Sequence, residues 1–319
     1  MVSYFLRRLM QALLVLILVT ILVFFIMRLL PGDPIIIYVA QTAELAAMPP
    51  EMLEELRHEF GLDKPIMVQY ATWVVNIFRG DFGTSIFYRE KVGKLMLERF
   101  PVTLHLGIVA FIIGAVLGIL SGLVAAVRRG KWIDKIITPL TYIGITIPVF
   151  WLGILLIYAF GLKLHWLPIS GYTSPMEDFW LSTKQLIMPV ICMAVFPLAA
   201  NARQMRSAML EVIRQDYIRT AWSKGLGERR VIFFHSLKNS LIPVITLMGV
   251  GVGMIFGGSV LVETVFAIPG VGRLMVSSIL GQDYIVVQGI TLTIAAIVLV
   301  VNLMVDISYG WFDPRIRYG

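Results

Sequence analysis

From Leu9 to Met27 the chain carries no charged residue, and apolar runs of similar length recur toward its far end. They cover Pro101 to Val127, Ile136 to Phe160, Leu186 to Ala202, Leu241 to Val262 and Ile285 to Ile307. A helix needs about 20 apolar residues to cross a hydrocarbon core about 30 Å thick. Lipid offers backbone amides no partner, so such runs must satisfy their own hydrogen bonds as helices. Only 15% of the residues are charged, against about 25% in a soluble domain. The expectation is an all-α integral membrane protein with six transmembrane helices. Arg7 and Arg8 precede the first run and no small-residue cleavage site follows it, so it reads as an uncleaved span.

Six spans leave both termini on one side, and basic residues say which. One set of connections holds Arg7 and Arg8, then Arg128, Arg129, Lys131 and Lys135, then the basic residues between Arg203 and Lys238, then Arg315 and Arg317. The short loops on the other side hold only Lys163, Lys184 and Arg273. Short cytoplasmic loops are enriched in Lys and Arg, so both ends are expected in the cytoplasm. The organisation that follows is a cytoplasmic end and first span over 1–30, then an extracytoplasmic loop over 31–100. A core of five spans covers 101–310 and includes the cytoplasmic insert 203–238; a cytoplasmic C-terminus covers 311–319.

The extracytoplasmic loop has helices of its own. Pro49 and Pro50 open one with Glu51, Glu54 and Glu55 in its first turns, and Gly61 stops it. A second runs from Pro65 to Phe78, with Ile66, Tyr70, Trp73 and Ile77 at helical spacing. The pair reads as a cap over the outer ends of the spans, or alternatively as a contact surface for an external partner.

Several chemistries are excluded by the residues. Cys192 is the only cysteine, so no disulfide forms within the chain. His58, His105, His165 and His235 are scattered, which gives no metal set. No G-x-x-x-x-G-K-[ST] phosphate loop, nucleophile elbow or H-E-x-x-H occurs, and PGVGRL at 269–274 is too weak a glycine pattern to count. The net charge of +7 belongs to cytoplasmic loops and does not mark a nucleic-acid binder. Glu263 and Asp306 lie at span ends, where water is expected to reach them. With no charge near the midplane, ion-coupled transport within the chain is disfavoured.

Gly114, Gly118 and Gly122 repeat at four-residue spacing in the second span, and Gly249, Gly253 and Gly257 do so in the fifth. Small residues on one face permit close helix packing in lipid, or leave width for a pathway. Pro148, Pro189 and Pro197 are expected to kink the third and fourth spans.

The basic insert divides at Gly225-Leu226-Gly227. Met209, Ile213, Tyr217, Ala221 and Trp222 form one apolar stripe before it, and Val231, Phe234, Leu237 and Leu241 form another after it. Two short amphipathic helices with a glycine hinge are expected, suited to lying on the membrane surface or in a groove of a cytosolic protein.

The insert also carries a motif. RTAWSKG at 219–225 resembles the EAA-x-x-x-G motif of permease subunits of binding-protein-dependent ABC importers, with Arg219 where the glutamate usually stands. The resemblance is to the dipeptide/oligopeptide/nickel branch. It extends through LPGDP (30–34), GLDKPIMVQY (61–70), RGDFGTS (79–85), IPVFWLG (147–153), LEVIRQDYIRTAWSKGLGERRVIF (210–233), NSLIPVI (239–245), ETVFAIPGVGRL (263–274), DYIVVQG (283–289) and DPRIRYG (313–319).

The resemblance implies a bacterial or archaeal plasma-membrane permease without an ATPase site, binding no cofactor or metal. Its expected partners are a second, non-identical permease, two cytoplasmic ATPase subunits that use ATP and magnesium, and an extracytoplasmic solute-binding protein. The insert would supply a coupling helix seated in an ATPase groove, with Asp216, Tyr217, Arg219, Thr220, Ala221, Lys224, Gly225 and Gly227 at that interface. The solute implied is a di- or oligopeptide; nickel, glutathione or another small solute are alternatives on the same machinery. A self-contained secondary transporter is the reading from a different class.

Overall fold

The computed structural model describes residues 2–29, 35–36 and 50–312. Among these every regular element is a helix, with one isolated antiparallel bridge between Thr84 and Lys91 and no strand. Five helices are long and apolar enough to cross a bilayer, and a bent pair makes six if it counts as one crossing. LPGDP, DPRIRYG and the expected C-terminal basic residues Arg315 and Arg317 lie outside the described residues.

The bend expected at Pro148 in the third span is a full break of the helix. In place of one helix from Ile136 to Phe160, Trp132–Thr146 and Val149–Lys163 meet at 104°. Pro148 has no N–H to give, and its ring drives the preceding residue out of the helical region. Ile147 and Pro148 are accordingly extended, with ψ of 125° and 127°. Pro189 and Pro197 behave differently, since both sit inside one unbroken helix.

The chain forms two compact units, Met1–Thr103 with Pro269–Leu303, and Leu104–Ile268 with Met304–Gly319. In the first, α1 (Val2–Leu29) is the first span, and α2 (Pro50–Glu59) and α3 (Ile66–Phe78) are the outer-loop helices. Gly61 follows α2 with a φ of +65°, a conformation that costs other residues a Cβ clash. Helix α3 lies against α1. Tyr70 stacks edge-on to Phe24 at 5.2 Å and shares a hydroxyl contact with Thr20 at 3.0 Å, while Arg28 donates to Gln69 Oε1 at 2.8 Å. Phe24 is thereby fully buried.

The second span begins earlier than its apolar run, because α4 covers Val92–Val127. Its first turns pack with α10 (Val271–Leu280) and α11 (Tyr284–Phe312) through Val92, Leu95, Met96, Leu274, Val286 and Ile290. Ser85 donates to Asp283 at 2.5 Å, and the Phe87 N–H donates to the same carboxylate at 3.1 Å. A side chain at Gly83 would meet Ile285 at 2.9 Å. The RGDFGTS and DYIVVQG segments therefore touch.

The second unit is organised around α7 (Phe179–Val212), whose Met188, Cys192, Met205 and Met209 are fully enclosed. Against it lie the rest of α4, α5 (Trp132–Thr146), α6 (Val149–Leu156, running on into a π turn to Lys163) and α9 (Leu237–Val265). Glycines make the approach possible. A methyl at Gly114 would meet the Ala194 carbonyl oxygen at 3.2 Å, one at Gly118 the Leu198 carbonyl oxygen at 2.8 Å, and one at Gly122 would collide with the Ala202 carbonyl oxygen. Gly144 of α5 fits Ala199 in the same manner, at 2.9 Å. In α9, Gly249 is buried, Gly253 half-buried and Gly257 exposed. Added methyls at Gly251, Gly257 and Gly258 would meet nothing within 4 Å.

Charge inside this unit departs from expectation. Glu263 does not reach water: it is fully buried two residues before the end of α9, where its backbone carbonyl accepts the Ile268 N–H at 2.8 Å. Asp134, in the first turn of α5, is 5% exposed and takes Arg206 of α7 bidentately at 2.7 and 2.9 Å. The side chain of Asp306 lies outside the described residues.

Candidate functional site

Two short amphipathic helices were expected in the insert; the structure divides it differently. Its first residues continue α7 to Val212, so Met209 belongs to that long helix. A turn at Ile213–Gln215 breaks the expected first stripe, and α8 (Asp216–Ser223) starts afresh. After Gly227 a single turn, Glu228–Arg230, passes through a π turn, Val231–Ser236, directly into α9. The second expected helix is thus the leading end of the fifth span.

Helix α8 is too short to be stable alone, and a small core holds it. Ile218 and Ala221 are buried against Val231, with Val212 and Leu226 closing the cluster. Ile218 was not part of the expected stripe, whereas Tyr217 and Trp222, which were, are each 44% exposed. The expected stripe is kept at Ala221 and lost at Tyr217 and Trp222, because α8 does not continue the register of α7. Of the second stripe, Val231 is buried and Phe234 is 74% exposed.

The expected interface residues fall into two groups. Asp216, Tyr217, Arg219, Thr220 and Lys224 are exposed on α8 or at its end. Ala221 faces inward, and its small side chain lets α8 sit close to Val231. Arg219 donates to Asp216 at 3.4 Å on the open surface, and Tyr217 accepts from Asn239 Nδ2 of α9 at 2.7 Å. Gly225 ends the helix in the left-handed region, φ +76°, with its N–H on the Trp222 carbonyl at 2.9 Å. This is the usual glycine stop. Gly227 is extended and begins the next turn. The result is a short, fixed knob with a polar and aromatic outer face and a hydrogen bond to the following span.

Comparisons with known proteins agree with this architecture. The family of binding-protein-dependent transport system inner membrane components matches residues 114–318, and its N-terminal component matches 1–107. The chain belongs to that family. A relative in Brucella abortus is 42% identical over 320 residues, covering all of both chains. The di/tripeptide transport system permease protein of Pseudomonas aeruginosa is 40% identical over 320 residues, covering 94% of each. The dipeptide transport system permease protein of Alkalihalophilus pseudofirmus is 36% identical over 338 residues, covering all of both. An inward-facing structure of the MetNI methionine ABC transporter shares the fold with a TM-score of 0.56 at 18% identity, covering 69% of this chain and 96% of that one. The chain is therefore a membrane-embedded permease subunit of an ABC importer and is not the subunit that hydrolyses ATP.

Proposed function

We propose that this chain forms half of the pathway by which an ABC importer moves a di- or oligopeptide, driven by ATP hydrolysed in separate subunits. The peptide assignment rests on the names of the full-length relatives at 36% and 40% identity. Helix α8 is the coupling helix. What carries this reading is the knob itself: eight residues fixed from beneath by Ile218, Ala221 and Val231, with Asp216, Tyr217, Arg219, Thr220 and Lys224 facing outward. A groove on an ATPase subunit would grip that face. Movement of the knob then passes to the fifth span through the Tyr217–Asn239 bond and the Val231 contact, and the spans alternate between inward- and outward-open states.

The assembly has a second, non-identical permease, two ATPase subunits that use ATP and magnesium, and an extracytoplasmic solute-binding protein. Both termini and the 203–238 insert are cytoplasmic. The exposed part of the fifth-span glycine row around Gly257 serves the pathway or the second permease.

Gly225 supplies the test. A methyl there meets nothing within 4 Å among the described residues, so within the chain a substitution acts through the left-handed backbone. Gly225→Val is expected to leave membrane accumulation unchanged but to abolish uptake of a labelled dipeptide in cells carrying the complete transporter. Gly225→Asn, which tolerates a left-handed backbone, is expected to retain most uptake. Undiminished uptake in the valine variant counts against the coupling role. Uptake of nickel or glutathione without dipeptide leaves the coupling role standing and replaces the solute.

A further inference from the structure

From Glu228 the chain is helical without interruption to Val265, through the turn Glu228–Arg230 and the π turn Val231–Ser236. Two sides of its leading end are occupied. Val231 packs under the knob, Asn239 bonds Tyr217, and Ser236, Ser240 and Val244 are fully buried. The remaining side is open. Arg230 and Lys238 are exposed, and Phe234 between them is 74% exposed. The three recur every four residues, so they stand in one row along the helix. Arg229 and Phe233 flank that row and are exposed as well. Basic and aromatic side chains therefore share one face. Among the described residues Arg229, Arg230 and Lys238 have no carboxylate partner, and the sequence holds no acid between Glu228 and Glu263.

Position decides what meets this face. The apolar run of the fifth span starts at Leu241. Lys238 precedes it by less than one turn, Phe234 by about two and Arg230 by about three, roughly 5, 10 and 16 Å at helical pitch. That interval covers the headgroup layer and its immediate edge, and long basic side chains reach back along it toward the phosphates. An anionic leaflet attracts juxtamembrane cations within a Debye length of about 8–10 Å. An aromatic ring beside them gains by leaving water at the same depth. A protein groove would have to reach this row where the helix enters the bilayer, whereas the leaflet lies against it by continuity with the span.

We propose that Arg230, Phe234 and Lys238 dock on the anionic headgroups of the leaflet from which the insert emerges, the two cations on phosphates and the ring between them. The contact fixes the end of the span that carries Asn239, and with it the height of the knob. It holds for either leaflet and requires neither the peptide assignment nor the coupling role.

The test places a bimane fluorophore on Phe234→Cys in the complete transporter, reconstituted in mixed bilayers of phosphatidylglycerol and phosphatidylcholine. One lipid at a time carries bromine on its acyl chains near the headgroup, which quenches a fluorophore it touches. Brominated phosphatidylglycerol is expected to quench at a mole fraction at least about fivefold lower than brominated phosphatidylcholine, the scale of one basic contact near a membrane surface. Arg230→Gln combined with Lys238→Gln is expected to equalise the two lipids, and Arg230→Lys to keep the preference. Arg128→Gln combined with Arg129→Gln, exposed in another basic segment, should leave it intact. Unchanged mobility in size-exclusion chromatography confirms that each variant is folded. Equal quenching by the two lipids in the parent overturns the proposal. So does a blue-shifted emission that neither lipid quenches, which would put another subunit over the face, or an unshifted emission, which would leave it in water. Equal loss in the two paired variants would reduce the effect to general surface charge and overturn it too.

Discussion

At Asp134 four donors converge on one carboxylate: two from Arg206, the Gly130 amide and the Thr138 hydroxyl. Buried pairs of this kind are asymmetric in their energetics. Asp134 is buried but Arg206 keeps 28% of its side chain exposed, so removing the carboxylate leaves a partly desolvated charge without compensation, at less than the ~3–5 kcal/mol of a fully buried pair. Asp134→Ala is expected to lower the midpoint of thermal unfolding of the purified chain sharply. The double variant Asp134→Ala with Arg206→Met should recover much of that loss, because no orphaned charge remains. A double variant no more stable than Asp134→Ala alone would show that the pair itself, and not the stranded arginine, sets the cost. The sequence offered little warning of this contact. Asp134 stands among Arg128, Arg129, Lys131 and Lys135 and reads as a solvated loop residue, while its partner lies 72 positions away. Glu263 misled for a related reason: hydropathy places it at a span end, but it does not reveal that this end is fully buried. The Ser85–Asp283 bond, 198 positions apart, was equally hidden, although both residues lie in segments that the family resemblance had singled out.

Among the elements, the two glycine rows look alike as patterns and differ in their surroundings. Gly114, Gly118 and Gly122 press on the backbone of α7, where backbone cannot move aside. Gly257 and its neighbours Gly251 and Gly258 face space that the described residues do not fill. Gly122→Leu is therefore expected to abolish accumulation in the membrane, overpacking a helix pair by well beyond the usual range of about 1–3 kcal/mol. Gly257→Ala should leave accumulation of the chain unchanged. Loss of accumulation in the Gly257 variant would mean that the row packs within the chain after all, and would remove the case for a pathway or partner role. Spacing alone showed that each row was smooth; only the structure showed which of them was covered. Prolines follow the same logic. Pro148 breaks its helix where Ile147 and Pro148 are both extended, whereas Pro189 and Pro197 remain within α7. One missing donor is tolerable when the surrounding helices hold the segment in place, and that support is a tertiary property. In the insert, the glycine stop at 225 was legible from residue type, while the break at Ile213–Gln215 was not, since no glycine or proline marks it.

For the molecule as a whole, the bend of 104° makes the parity of membrane crossings the decisive question. If α5 and α6 together cross once, the loop after them lies opposite Arg128–Lys135, and α7 returns the chain to place the insert beside those basic residues. If the pair enters and leaves on one side, α7 carries the insert to the other face, and α8 could not meet a cytoplasmic ATPase. The distribution of Lys and Arg favours a single crossing, because Arg129 and the insert then share the cytoplasmic face. Single cysteines resolve the matter. Cys192 is buried, so it adds little background with a membrane-impermeant maleimide. Met176→Cys, at a position 95% exposed in the loop after the pair, is expected to be labelled in intact cells. Arg129→Cys and Lys224→Cys, both at exposed positions, should be labelled only after the membrane is opened. Labelling of Lys224→Cys from outside, with Met176→Cys protected alongside Arg129→Cys, would establish a re-entrant pair. It would sever the insert from any source of ATP, leaving the architecture of an importer subunit without its means of being driven.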